Sequence, residues 1–146
     1  MPLSAEFKVQ DSRCWMWENG GMMKLMHVAV ISQSQENADQ FYEGILKLKK
    51  RKTAQLTRTL SRELFGIEIE CPLIQYGNDD FSIEVFLTAE IPVKNSPVSH
   101  ICLEVEDREA FLETCRSAGL PVNKIPRGDT SLCFVEDVDG NLFEIK

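Results

Sequence analysis

The chain carries two histidines, His27 and His100, and each is followed at long range by a glutamate in a comparable setting, Glu84 and Glu144. The separations are 57 and 44 positions. Imidazole nitrogen and carboxylate oxygen together suit zinc, nickel, cobalt, iron or manganese. A carboxylate in such a site can also act as a general base. Ligands must stand at about 2.0–2.2 Å from a bound metal, so they need rigid supports, and central strands supply these better than loops do. Singly, each residue has a plain explanation: a glutamate on the wet face of a strand is usually only solvated, and a lone histidine on a sheet is seldom a ligand. The weight lies in their equivalent placement in two halves of the chain.

Strand side chains alternate between faces, and this places each candidate. Leu25 to Ile31 reads as a strand with Met26, Val28 and Val30 on one face and His27, Ala29 and Ile31 on the other. Ser32 to Ser34 can cap a helix whose Ala38, Phe41, Tyr42 and Ile45 follow helical spacing. Lys47 to Leu56 reads as a basic edge strand and Arg58 to Phe65 as a short helix ending at Gly66. Ile67 to Tyr76 is strand-like with Pro72 inside it, which suits an edge or bulge. Phe81 to Leu87 sets Ile83 and Val85 on one face and Glu84 and Phe86 on the other.

A linker with Pro92 and Pro97 follows, and the pattern restarts. Val98 to Val105 carries His100, Cys102 and Glu104 opposite Ile101, Leu103 and Val105. Asp107 caps a helix burying Phe111, Leu112, Cys115 and Ala118, and Gly119 ends it. Strands at Val122–Pro126, Ser131–Val135 and Asn141–Lys146 complete the chain, the last two joined at the Asp139-Gly140 turn signal within Asp137–Gly140. Phe143 and Ile145 want a core, which turns Leu142, Glu144 and Lys146 to the opposite face. Each half is therefore strand, helix, three strands, opening with a histidine and closing with a glutamate. The extra 13 positions in the first half fit an insertion around its short helix. The expected organisation is an N-terminal extension, 1–22, and a domain, 23–146, built of modules 23–90 and 97–146. The extension, with Trp15 and Trp17, is either additional sequence before the domain or an arm packed on the body or on a neighbour.

Bulk properties narrow the function class. A chain of 146 residues buries about 68–70 % of its unfolded surface and needs no staples. A net charge of -7 and a pI near 4.9 argue against nucleic acid and anionic membranes as partners. Five cysteines without a CxxC spacing read as reduced thiols, and with no signal-peptide core or spanning run the expected location is the cytoplasm.

The segments His27-Val-Ala-Val, Phe41-Tyr42, Ile83-Glu84-Val85, His100-Ile-Cys-Leu-Glu-Val and Phe134-Val-Glu-Asp-Val-Asp-Gly-Asn-Leu-Phe-Glu144 together resemble the vicinal oxygen chelate superfamily. That group includes glyoxalase I, fosfomycin-resistance enzymes, extradiol dioxygenases and bleomycin-binding proteins. The resemblance runs from Lys24 to Lys146, and the last segment is its most specific part. It implies an α+β fold of two βαβββ modules with curled mixed sheets. It also implies one divalent metal, nickel or cobalt in preference to zinc, held by His27, Glu84, His100 and Glu144. A homodimer is implied as well, with each site at the subunit interface taking one module from each chain.

The implied chemistry is that of a lactoylglutathione lyase-like isomerase or lyase. A proton moves beside a carbonyl of a small-molecule substrate through a metal-stabilised enediolate, with Glu144 as the preferred base and Glu84 as a possible partner. Fosfomycin-type transferases and extradiol dioxygenases usually lack a carboxylate ligand at the position of Glu84, so Glu84 favours the isomerase–lyase branch. Two positions depart from glyoxalase I. Where bacterial forms place an arginine and an asparagine that help hold glutathione, this chain has Ile31 and Thr88. Neither holds a carboxylate by charge, which argues against a glutathione adduct. Lys146 could supply charge instead. The alternatives are another metalloenzyme of this group, an epimerase or thiol transferase, and a non-catalytic antibiotic-binding protein; the complete ligand set disfavours the last.

Overall fold

The computed structural model describes residues 15–16, 22–23, 25–93 and 99–146. Most of the expected extension and the middle of the expected linker lie outside those residues, as does the packing of the two tryptophans. In the extension, β1 (Trp15–Met16) pairs antiparallel with β2 (Met22–Met23).

Two four-stranded mixed sheets follow, one from each half of the chain. The first contains β3 (His27–Ser32), β4 (Lys49–Leu56), β5 (Cys71–Gly77) and β6 (Ser82–Leu87) in the order β3-β6-β5-β4. The second contains β7 (Ile101–Leu103), β8 (Val122–Arg127), β9 (Thr130–Glu136) and β10 (Leu142–Ile145) in the order β7-β10-β9-β8. The orders are equivalent, and in each the first strand lies parallel to the last. This is the α+β, twice-repeated βαβββ arrangement expected from the sequence. β4 is an edge strand, as its lysines suggest. β5 is not an edge strand, but its pairing to β6 begins at Leu73, so Pro72 is paired only with β4. Its missing N–H therefore costs no ladder bond on the β6 side.

The helices and the aliphatic strand faces enclose one core shared by both modules. Phe41, Tyr42, Ile74, Tyr76, Ile83 and Val85 from the first half join Leu112, Cys115, Cys133, Val135, Phe143 and Ile145 from the second. The first helix starts as α1 (Gln35–Ala38), with Ser34 accepting the Asn37 N–H as its cap, and continues as a π-helix over Asp39–Ile45. The sequence spacing points to an ordinary helix. The wider turn, with Leu46 N–H bonded to the Phe41 carbonyl at 2.9 Å, accompanies the seating of both neighbouring rings in the core. Phe41 lies 5.1 Å from Phe143 and Tyr42 lies 5.4 Å from Tyr76, centroid to centroid. Such aromatic pairs add about 0.5–1.5 kcal/mol beyond their buried area.

α2 (Arg58–Phe65) is capped by Thr57 and closed by Gly66 in the left-handed region at φ 68°. α3 (Arg108–Ser117) is capped by Asp107 and buries Leu112 and Cys115. Cys71, Cys102, Cys115 and Cys133 are free thiols. Among the described residues, no helix is long and apolar enough to cross a membrane.

Candidate metal centre

Burial in the core fixes which face the chemistry occupies. Ile83 and Val85 on β6, and Phe143 and Ile145 on β10, are buried against the helices. Alternation then turns Glu84 and Glu144 onto the opposite, open faces of their sheets. The parallel register of β3 and β6 sets His27 across from Ser82, Ala29 across from Glu84 and Ile31 across from Phe86. His27 reaches Glu84 on the diagonal, with Nε2 3.2 Å from Oε2.

The second module repeats this arrangement. Cys102 stands across from Glu144, and continuing that register one residue back sets His100 across from Leu142. His100 Nε2 lies 3.2 Å from Glu144 Oε2, again on the diagonal. His100 is not inside a strand as the sequence suggests, because β7 is only Ile101–Leu103. It sits just before it, with its ring edge-on to Phe134 at 5.4 Å. Lys146 Nζ lies 3.7 Å from the other Glu144 oxygen.

The structure thus brings together His27 with Glu84 and His100 with Glu144. The side chains remain accessible, at 45 % and 22 % exposure for the first pair and 33 % and 15 % for the second. Among the described residues, no three histidine, cysteine, aspartate or glutamate side chains gather closely enough to hold a metal ion. Each pair offers one imidazole nitrogen and one carboxylate, the donor types a divalent transition metal takes. The donor chemistry fits a metal, and the donor count is met when two pairs face each other.

The surroundings hold Cys102, to which the sequence pattern assigns no role, together with Thr88 and Ile31, the two departures from glyoxalase I. Cys102 is an exposed thiol beside Glu144. Partial burial and the neighbouring carboxylate raise its pKa above the ordinary thiol value. Thr88, at a position where glyoxalase I helps hold glutathione, is buried, and its hydroxyl accepts the Glu90 N–H at 3.1 Å. It faces no ligand. Ile31 is half-buried next to Phe86 on the open face of the first sheet.

The loop before Glu144 has a different task. Asp137 accepts the Tyr42 hydroxyl at 2.7 Å, the Asn141 side-chain amide at 2.7 Å and the Asn141 backbone N–H at 2.8 Å. Burial raises the Asp137 pKa, and these donors oppose the shift. Asn141 also donates to the Ile31 carbonyl at 2.9 Å. Asp139 accepts from the Ser32 hydroxyl, the Gln33 N–H and the Asn37 amide. The turn is wider than a two-residue hairpin: the Asp137 carbonyl accepts from the N–H of Gly140, whose φ is 92°. Its width presents two carboxylates to the first module. The Asp137-Val-Asp-Gly-Asn141 segment is therefore a clamp between modules, and the signal for it was the density of short polar side chains in a turn.

Comparison with known proteins agrees with this fold. The model of the glyoxalase/bleomycin resistance protein/dioxygenase superfamily matches residues 24–145. No curated protein matches the sequence significantly. Among solved structures, a trypanothione-dependent glyoxalase I from Leishmania major is 16 % identical with a TM-score of 0.64, over 84 % of this chain and 85 % of that one. A glyoxalase family protein from Bacillus cereus is 17 % identical with a TM-score of 0.64, over 88 % and 96 %. A variant of the fosfomycin-resistance protein from Listeria monocytogenes, complexed with manganese(II) and a dihydroxypropylphosphonic acid, is 15 % identical with a TM-score of 0.62, over 83 % and 86 %. At these identities the likeness is one of fold, but the family model spans both sheets and both His–Glu pairs, and the chain belongs to the glyoxalase/bleomycin resistance protein/dioxygenase superfamily.

Proposed function

We propose that this protein is a divalent-metal-dependent, glyoxalase-like isomerase or lyase. It acts on a small oxygenated substrate and works as a homodimer whose sites lie at the subunit interface. The observation that carries this reading is the identical diagonal placement of two His–Glu pairs, each at 3.2 Å on an open sheet face. His27 and Glu84 of one copy, with His100 and Glu144 of another, would hold one metal ion, nickel or cobalt before zinc. When bound, that ion supplies Lewis acidity to the two neighbouring oxygens of a substrate.

The chain's own groups do the rest. Glu144, the least exposed of the four, stands on a strand anchored by Phe143 and Ile145, so its carboxylate is held where a proton must be taken up and returned. Lys146 lies against its second oxygen and restrains it. In the proposed dimer Glu84 would stand across the site from Glu144 and could serve as the partner carboxylate. Ile31 and the internally bonded Thr88 provide no charge for a glutathione carboxylate, so the substrate is not expected to be a glutathione adduct.

Metal analysis of the purified protein tests this reading directly. One equivalent of metal per chain is expected, weakened or lost on substituting His27 or His100 by alanine. Protein that takes up no nickel, cobalt or zinc at micromolar concentration would refute it. Methylglyoxal with glutathione is the accompanying assay. Turnover with kcat/KM on the order of 10⁴ M⁻¹s⁻¹ or more would show that Ile31 and Thr88 do not exclude glutathione.

A further inference from the structure

The two modules differ at one end of their open faces, and the difference concerns what the site can accept. In the first module the cross-strand rows run from His27 and Ser82, through Ala29 and Glu84, to Ile31 and Phe86. Phe86 follows Glu84 by two residues on the same strand face, about 7 Å along. Phe65, at the end of α2, stands edge-on to Phe86, with centroids 5.8 Å apart and planes at 86°. Beneath them Leu56, Ile69 and Cys71 form a second buried cluster, with Phe86 and Ile91 packed on it.

The second module has no counterpart. Its β8 and β9 turn directly into each other between Arg127 and Thr130. The positions matching Ile31 and Phe86 are Glu104 and Lys146, both charged.

α2 is not anchored through its apolar side. Its one buried residue is Ser61, whose hydroxyl bonds the Ile67 carbonyl at 2.7 Å and the Ile69 carbonyl at 2.9 Å and accepts the Ile69 N–H at 3.0 Å. Arg62 pairs with Glu68 at 2.8 Å. Polar bonds thus hold the helix, while Phe65 remains 53 % exposed beside Phe86. Phe86 lies one cross-strand row from the candidate ligand Glu84, and Phe65, on a helix fixed by a polar anchor and open to solvent, extends that apolar surface outward to where an apolar group can be received.

We propose that Ile31, Phe65 and Phe86 form the specificity-determining corner of the site. They select a substrate whose two neighbouring oxygens lie at the His27–Glu84 pair and which carries an apolar substituent of aromatic size. This rests on the metal-site reading above.

Two bidentate oxygen chelators that differ only in their substituent, acetohydroxamate and benzohydroxamate, are titrated calorimetrically into the nickel-loaded full chain. The phenyl compound is expected to bind at least about tenfold more tightly, as apolar contacts of this size discriminate in a pocket. Phe65→Ala should remove most of that preference by weakening benzohydroxamate rather than acetohydroxamate, and Phe65→Leu should retain part of it. Equal binding of both compounds by the wild type would overturn the corner alone. A chain that takes up no nickel, or a nickel-loaded wild type that binds neither compound, would overturn the metal-site reading and the corner with it. A third outcome, in which Phe65→Ala keeps the preference but shifts sedimentation toward monomer, would overturn the corner by showing that α2 packs against a second copy of the chain.

Discussion

If a complete site takes His27 and Glu84 from one chain and His100 and Glu144 from its partner, two inactive variants should repair each other. In the first variant, His27→Ala with Glu84→Ala removes the ligands of the first module. In the second, His100→Ala with Glu144→Ala removes those of the second. Each homodimer then keeps only one half-site of two ligands at each of its two sites and binds no metal with all four ligands. Dissociated, mixed in equal amounts and reassociated, the chains should form about half heterodimers on random pairing, and in a two-fold assembly each heterodimer holds one complete site and one empty of ligands. The mixture should therefore recover about a quarter of the wild-type sites, read as tightly bound nickel after desalting and as turnover where a substrate is known. The magnitude follows from the structure, because the ligands are segregated two by two and no three approach one another among the described residues. A site closed within one chain predicts no recovery at any mixing ratio, since every chain lacks two ligands. No recovery from variants shown by gel filtration to have exchanged subunits would refute the shared-site argument.

Other outcomes are expected of single changes. Glu144→Gln should retain metal and lose about 10²–10⁴-fold in turnover, the usual contribution of positioned acid–base catalysis; loss of metal first would make Glu144 a ligand without a separate role as base. Tyr42→Phe removes one donor to the buried Asp137 carboxylate. It should cost about 1.5–3 kcal/mol in denaturant unfolding, with an unchanged midpoint showing that Asn141 and the Asp139 N–H satisfy the group without it. For Asp39, burial opposes ionisation, but bonds from Lys50 and Tyr76 outweigh it and lower its pKa below the ordinary 3.8. Its contribution to stability is therefore present above the unfolded value and lost as pH falls through the folded one. Asp39→Asn should accordingly destabilise the protein at neutral pH, the difference from wild type closing in acid; a gap independent of pH would show that its charge is irrelevant.

Most of the fold was legible because the two periodicities are clean. Ile83 and Val85, like Phe143 and Ile145, are separated by a single glutamate, and burying the flanking residues leaves that glutamate only one face to occupy. The histidine partners were legible for the same reason, from strand parity. What stayed hidden depends on register and on distance across the chain. The diagonal contact of His27 with Glu84 requires the parallel pairing of β3 and β6, which parity alone does not supply. The π-helix was hidden because Ala38, Phe41, Tyr42 and Ile45 satisfy ordinary helical spacing as well. Pro72 was read as a sign of an edge or a bulge, and the strand is internal, because the sequence does not show that β6 stops pairing at Leu73. The aromatic corner was hidden since Phe65 meets Phe86 only after α2 has folded back over the sheet.

The segment that carried the strongest resemblance, ending at Glu144, links these features. It was read chiefly as the hairpin that delivers a ligand, and its acidic turn proves to be what ties the modules together. For one chain to close its own site, the first module would have to leave the second and bring its open face round. That would strip Asp137 of the Tyr42 hydroxyl, Asn141 of the Ile31 carbonyl and Asp139 of three donors. It would also part the Phe41 and Phe143 rings in the shared core. A hydrogen bond to a charged group is worth about 1.5–3 kcal/mol, so the carboxylate bonds alone oppose the rearrangement by an amount comparable to the 5–15 kcal/mol that holds a typical domain folded. In the proposed homodimer, a second copy would complete the site without breaking any of them. On the proposed reading, the turn that positions Glu144 thus also requires the remaining ligands to come from a second copy.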